Sequence, residues 1–450
     1  MTLPETYRTA TDLAQYFRGH CKPRRDWRVG LEVEYFPVHE RSLRPVPIDG
    51  ASGLDGLFLD LQACGWDYDR ERLSLRTPRG SAITLEPGGQ LEIATAPSAR
   101  VGDMLQAQRS DLRELADRAA RHGVLLLATG FHPTASLGAM PRKPSERFRI
   151  MRNYMPKVGS RGLDMMHRCC AVQINLDYAS ETDMMAKLRT AMAVQPLVQA
   201  LLANAPFRDG GLAGAVSERG RVWRQTDRDR CGLLPFVFSD KAPLADYVDW
   251  IRQVPLYSIQ ADGQYHDVAG ADFNRYLAGE LPGFEGWRPD LTNWEDHLNS
   301  LMPDVRLKRV LEIRGVDTLA QEDLEAYCAL WVALLYDDTA RQQAWELVAD
   351  WRWAERLDLA DRVPVTGLAT EIRGRPLSHW VGQLQAIGRA GAERLKEEDW
   401  LNGCSTGILG WLDRRLDNAE SPAGRLIALQ HQNPEPGAFA DLVRHHLSAG

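Results

Sequence analysis

Four short segments of this chain alternate apolar and polar residues, and their polar positions carry carboxylates. In Gly30-Leu-Glu-Val-Glu-Tyr, Leu31 and Val33 fall on one face while Glu32 and Glu34 share the other. Thr84-Leu-Glu-Pro-Gly-Gly-Gln-Leu-Glu-Ile sets Leu91 and Ile93 against Gln90 and Glu92, with Glu86 just before a Pro87-Gly88-Gly89 turn. Val172-Gln-Ile-Asn-Leu-Asp alternates Val172, Ile174 and Leu176 with Gln173, Asn175 and Asp177. In Val310-Leu-Glu-Ile-Arg-Gly, Leu311 and Ile313 oppose Glu312 and Arg314. A period of two is the mark of a half-buried strand. A lone Glu-x-Glu fits an ordinary solvated strand face. The four together describe an antiparallel sheet, one face packed under helices and the other lined by carboxylates, amides and arginine.

Around these strands the spacing predicts helices over 11–20, from Asp103 to His122 with Gly123 as the cap, and from Ser180 with Asp183 completing a capping-box variant. Further helices are expected over Leu244–Gln253, Asp272–Ala278 and Trp294–Met302. From Asp323 onward the pattern is almost wholly helical, with Trp331, Trp345, Trp351, Trp353, Trp380, Trp400 and Trp411 supplying large buried surfaces. Strands mixed with helices, then helices alone, predict an α+β fold rather than an alternating parallel sheet. The expected organisation is one catalytic unit over 1–450, a mainly sheet-based core at 26–320 and a helical elaboration at 321–450.

Composition narrows the function. With 54 Lys plus Arg against 61 Asp plus Glu, the net charge of −7 lacks the basic surplus of a nucleic-acid binder. Apolar runs such as Val124–Leu127 are far too short to cross a membrane. The N-terminus has no apolar signal-peptide core, and the seven cysteines form no Cys-x-x-Cys pair, so a reduced, cytoplasmic protein is expected. Monomer and homodimer both stay open.

Carboxylates crowded on one sheet face are tolerable when hard cations sit between them. Mg²⁺ takes oxygen ligands from one or two carboxylates, water and substrate phosphate. Glu32, Glu34, Glu86, Glu92 and Glu312 are therefore candidates for two or three magnesium sites serving a nucleotide triphosphate. No P-loop is present, so metal bridging is the more economical way to hold phosphates. Arginine concentrates in two connecting segments, Arg147–Gly159 and Arg219–Arg230, either as anion contacts or as solvated charge runs. Cys169 and Cys170 read as structural.

The blocks GLEVEYF, LEPGGQLEIA, RFRIMRNYMPKVGSRGLDMM, VQINLDY, VWRQTDRDRCGLLPFVF, NWEDHL, PDVRLKRVLEIRG and WVALLYD carry a resemblance. From about residue 26 the chain resembles glutamate–cysteine ligases of the plant and proteobacterial type, among the glutamine synthetase-like carboxylate–amine ligases. The resemblance implies a saddle-shaped antiparallel sheet forming a funnel. It implies phosphorylation of the glutamate γ-carboxylate by ATP, then attack by the cysteine amine. It also implies magnesium at Glu32, Glu34, Glu86, Glu92 and Glu312, with Gln173 beside the ATP. Arg147 and Arg219 would hold glutamate with Arg152 as a neighbour, Tyr257 would line the cysteine pocket, and Arg314 would act on the transferring phosphoryl group with Glu312.

Plant members carry two redox-linked cysteine pairs; Leu105 with Glu325 and Val268 with Gly283 stand at those positions here, which implies that the thiol switch is lacking. Two other readings stand beside the leading one: a γ-glutamyl ligase using another amine or feeding another thiol pathway, and a non-catalytic ligand-binding homologue.

Overall fold

The computed structural model describes residues 6–239, 241–402, 404 and 420–449. At its centre is a nine-stranded sheet, antiparallel throughout. Its strands are β1 (Val29–His39), β2 (Asp67–Asp69), β3 (Ser74–Arg76), β4 (Ala82–Leu85), β5 (Leu91–Ala94), β6 (Val124–Leu127), β7 (Ala171–Leu176), β8 (Val305–Leu307) and β9 (Leu311–Asp317). They lie in the order β8-β9-β7-β1-β5-β4-β3-β2, and β6 pairs with the far half of β1. The four alternating segments are thus adjacent or nearly so at the middle of the sheet.

The helices are α1 (Ala10–Gly19), α2 (Leu54–Ala63), α3 (Val101–Arg121), α4 (Glu146–Val158), α5 (Gly162–Arg168), α6 (Glu181–Leu202), α7 (Glu218–Trp223), α8 (Leu244–Gln253), α9 (Phe273–Ala278) and α10 (Leu291–Asn299). They continue with α11 (Gln321–Tyr336), α12 (Asp338–Glu346), α13 (Trp353–Thr366), α14 (Leu377–Arg394), α15 (Pro422–Gln432) and α16 (Pro436–His446). The alternation decides which face they cover. Leu31, Val33, Leu91, Ile93, Val172, Ile174, Leu311 and Ile313 are buried beneath α3, α6 and α11, in a cluster that runs from Tyr7 to Trp400. The C-terminal helices therefore share the core of the sheet.

Local chemistry sets the boundaries. The Ser180 hydroxyl accepts from Asp183 N–H at 3.1 Å, while the Asp183 carboxylate accepts from Ala179 N–H at 2.8 Å, starting α6. Gly123, at φ +66°, follows the end of α3 as the spacing predicts. Trp331, Trp345, Trp351 and Trp400 are buried, and Trp380 packs partly against the core. Trp353 departs from expectation: at the first turn of α13 it is exposed and leans on Phe238. Trp411 lies outside the described residues.

The turn Glu86–Gln90 is the tightest joint near the polar face. Gly89 sits at φ +79°, and Gly88 N–H donates to the Gln90 side-chain oxygen at 2.8 Å. A β-carbon at Gly88 would stand 2.4 Å from the His167 carbonyl oxygen. Gly88→Ala is expected to lower stability by about 1–3 kcal/mol through overpacking. Equilibrium denaturant unfolding checks this, and an unchanged midpoint would refute the packing argument.

Candidate active site

Register turns the alternating strands into a site. Glu32 on β1 faces Gln173 on β7, and Glu34 faces Glu92 on β5. Glu312 on β9 lies between Asn175 on β7 and Arg306 on β8. The β9–β7 ladder slips between Ile313 and Val316, so Arg314 and Gly315 together oppose Gln173. Such a bulge re-aims a side chain. Gly315 is required there, because its β-carbon would lie 2.3 Å from the Gln195 amide nitrogen.

The result is a cavity of about 380 Å³ above the polar face. Glu32, Glu34, Glu86, Glu92 and Glu312 all reach its wall, as do Gln173, Arg147, Arg219 and Arg314. Arg152 and Tyr257 do not line it. Tyr257 is buried behind that wall, its hydroxyl 3.7 Å from the Met155 sulfur and its ring 3.8 Å from the Arg230 guanidinium. Arg152 leaves one guanidinium nitrogen buried and unpaired beside His167.

The two arginine-rich segments split on folding. Only Arg147 and Arg219 reach the cavity. Arg149 pairs with Glu146, Arg221 with Glu218, and Arg224 with Asp361. Arg230 is wholly buried against Asp227 at 2.6 Å, and Lys157 and Arg228 face solvent. Most of those charges hold the fold together.

The carboxylates divide into two electrostatic groups. Burial raises the Glu312 carboxyl, but Arg306, Lys308 and Arg314 outweigh that effect and hold it below the usual carboxylate range. The Arg306 Nε donates to Glu312 at 2.6 Å, and Lys308 Nζ lies 3.1 Å away. The other four are pushed up. Burial leads in each case, with Glu312 adding to it at Glu32, and Glu32, Glu86 and Glu34 adding at Glu92. For Glu34, burial and then Glu86 raise the carboxyl to about 8. Neutral donors are the partners available: Asn175 to Glu32 at 2.8 Å, Ala171 N–H to Glu34 at 2.7 Å, Thr84 to Glu92 at 3.2 Å. The Gln173 amide donates to both Glu34 and Glu92, at 3.3 and 3.4 Å.

Opposite the carboxylates, Arg219 donates to the Arg314 carbonyl at 2.7 Å and keeps its Nε buried and unpaired. Two nitrogens of Arg314 are likewise buried without a hydrogen-bond partner. The Trp223 ring stands 5.2 Å from one guanidinium and 5.6 Å from the other. A second cavity of about 410 Å³ shares Glu32, Asn299 and Lys308 with the first and is lined further by Lys22, Arg28, Asp177 and Arg309.

Sequence reasoning missed Arg306, Lys308, Trp223 and this basic second cavity. A signal for the first two exists in Val305-Arg-Leu-Lys, which alternates just before the Glu312 strand and puts both cations on the polar face. Among the described residues no three Asp, Glu, His or Cys side chains already converge into a ready-made cation cage.

A model of the Glutamate–cysteine ligase family 2 matches residues 28–445. The chain belongs to that family. It is 41% identical over 442 residues to the chloroplastic glutamate–cysteine ligase of Brassica juncea, covering 98% of this chain and 84% of that protein. The chloroplastic enzyme of Medicago truncatula is 40% identical over 433 residues, covering 94% and 82%. Among solved structures, a glutamate–cysteine ligase of Francisella tularensis in complex with AMP superposes with a TM-score of 0.55 at 14% identity, covering 93% of this chain and 88% of that one. This likeness extends the shared fold across nearly the whole chain. The cytoplasmic location expected from the N-terminus is corrected here: these relatives, matched over almost the full chain, are named as chloroplastic.

A carboxyl raised in the folded state favours the protonated form. Glu34 therefore withdraws stability as pH rises from its ordinary 4.5 through about 8. Without divalent cations, Glu34→Gln is expected to unfold at the same or higher temperature than the unaltered protein at pH about 8.5. Calorimetry at that pH decides, and a clearly lower midpoint would contradict the crowding of charge.

Proposed function

We propose that this family member joins the γ-carboxylate of L-glutamate to the amine of L-cysteine through γ-glutamyl phosphate, converting ATP to ADP and phosphate. The product, γ-glutamylcysteine, makes this the first step of glutathione synthesis. The carrying observation is a single cavity where five carboxylates face two arginines with buried, unsatisfied nitrogens. Unpaired buried guanidinium nitrogens call for an anion, because a buried donor without a partner is costly. Glutamate and a transferring phosphoryl group both meet that need.

The site assignments are those the family resemblance implies, and the cavity lining supports them for Arg147, Arg219 and Arg314. Arg219 and Arg147 hold the carboxylates of glutamate, the first by its buried guanidinium edge and the second from the cavity rim. Arg314, aimed by the β9 bulge, faces the phosphoryl group as charge redistributes. The nucleotide is assigned to the second cavity, where Lys22, Arg28, Lys308 and Arg309 supply positive charge beside Asp177 and Glu295; Glu32 and Lys308 belong to both cavities, and Gln173 lines the first. Arg152 adds positive charge near the glutamate side. The cysteine pocket lies toward the methionine and aromatic wall, where Tyr257 supports Met155.

The carboxylates suit magnesium because burial raises four of them, neighbouring carboxylates adding to it at Glu32, Glu34 and Glu92, and those three have neutral hydrogen-bond donors. Magnesium takes one or two carboxylates and completes its shell with phosphate and water. Glu32, Glu34, Glu86 and Glu92 would hold it, with Glu312 at the edge already engaged by Arg306 and Lys308. Bound there, magnesium would neutralise phosphate charge. The protein's own share is positioning: two reactants held in one oriented cavity need little further motion.

ADP release with Mg-ATP should require both glutamate and cysteine when each is omitted in turn. Turnover indifferent to cysteine but dependent on another amine would transfer the assignment to a different γ-glutamyl ligase. Arg314→Ala is expected to lower kcat by about 10²–10³-fold while the protein stays folded. Near-normal kcat would remove Arg314 from phosphoryl transfer.

A further inference from the structure

Arg219 and Arg314 come from separate parts of the chain; besides the bond from Arg219 to the Arg314 carbonyl, a second, buried link joins the elements that carry them. Ser217, completely buried, caps α7: its hydroxyl oxygen accepts from Gly220 N–H at 3.0 Å. The same hydroxyl donates to Asp317 Oδ1 at 2.9 Å. Asp317 is the last residue of β9, the strand that carries Glu312 and Arg314. Its second oxygen accepts from Asn204 N–H at 2.8 Å, so both carboxylate oxygens are held. Gly130 leaves the room for this: a β-carbon there would lie 2.4 Å from the Asp317 carboxyl.

The α7 end of the link is equally fixed. Val216 and Ser217 N–H groups both donate to the Pro364 carbonyl, at 3.0 and 2.9 Å. The fully buried Glu218 carboxylate gathers Arg208 at 2.8 Å, Arg161 at 3.0 Å and Arg221 at 3.2 Å. Arg219 follows directly and reaches back to the Arg314 carbonyl. A loop therefore closes from Asp317 through Ser217 to Arg219 and back to the same strand at Arg314.

We propose that Ser217 and Asp317 are a positioning pair for the ligase reaction, fixing the substrate-holding arginine against the strand that carries the phosphoryl-facing one. This rests on the roles proposed for Arg219 and Arg314. Loss of the Ser217 hydroxyl removes both the α7 cap and the bond to Asp317, so α7 tilts and Arg219 moves relative to the reacting carboxylate. A displacement of about 1 Å costs up to about a hundredfold when orientation carries the rate. A purely structural cap would cost stability alone.

Steady-state kinetics of Ser217→Ala, Ser217→Thr, Arg219→Ala and the double variant Ser217→Ala/Arg219→Ala provide the test. Ser217→Ala should raise the KM for glutamate by about tenfold or more and lower kcat, with the KM for ATP within about twofold. Ser217→Thr, which keeps the hydroxyl, should recover most of the loss. The double variant should behave as Arg219→Ala alone, because Ser217 acts through that arginine. A folded Ser217→Ala with an unchanged glutamate KM, or multiplicative effects in the double variant, overturns the pairing. If Arg219→Ala itself leaves the glutamate KM unchanged, the role of Arg219 fails instead. Should Ser217→Ala not fold, Asp317→Asn in the same glutamate and ATP assays replaces it, with the same outcomes for and against.

Discussion

Crowding of negative charge on one face of the sheet is the constraint on which the rest of the site depends. Glu34 and Glu92 stand directly opposite each other on β1 and β5, an arrangement that destabilises a sheet when left uncompensated. The fold compensates by position. Cations lie on β8, on β9 and in the turn between them, through Arg306, Arg314 and Lys308, while the neutral amides of Gln173 and Asn175 occupy β7. The crowded carboxylates follow on β1 and β5. Crossing the sheet, the potential runs from positive through neutral to negative. In the proposed reaction a phosphate chain would be drawn toward the first side, and accompanying cations toward the other.

That gradient explains why the five carboxylates, alike in sequence, differ in state. Glu312 sits at the positive end and is held ionised by three cations, despite being almost fully buried. Glu34 and Glu92 sit at the negative end, where burial and neighbouring carboxylates favour the proton. The net charge of −7 hides this division, because a single sum cannot report two opposed regions in one cavity.

The strands and most helices were legible in the sequence because each rests on local period and local caps. Leu244–Gln253 is a helix over the span its spacing predicts, and the β1, β7 and β9 segments alternate as read. Which strand faces which was not legible. Glu32 meets Gln173, and Glu312 meets Asn175, through pairings far apart along the chain that no local pattern encodes. The β9 bulge is similarly invisible, since Arg314-Gly315 continues the apparent alternation and the Gln195 side chain of α6, which lies where a β-carbon of residue 315 would stand, is distant in sequence. The arginine runs misled for the opposite reason. Density of charge along the chain said nothing about its destination, and Arg230 and Arg221 turned inward to carboxylates of their own.

The helical C-terminal part has a physical task that follows from the same constraint. A sheet whose polar face is electrostatically strained must be held from its apolar face, and α11 does this with a near-continuous run of buried residues from Leu324 to Tyr336. The Tyr336 hydroxyl donates to the Arg28 carbonyl at 2.7 Å and accepts from Asp177 N–H at 2.9 Å, pinning the adjacent ends of β1 and β7. At the other end of α11, Thr318 donates to the Glu34 carbonyl at 2.8 Å. Tyr336 and Thr318, which flank the buried run of α11, thus hold β1 at its start and at Glu34, the strand whose carboxylates face that of β5. Repulsion between carboxylates acts on side chains at the cavity wall, whereas these bonds act on the backbone, which in a close-packed core has nowhere to move. The strain therefore stays in the cavity, where an incoming cation or proton can relieve it.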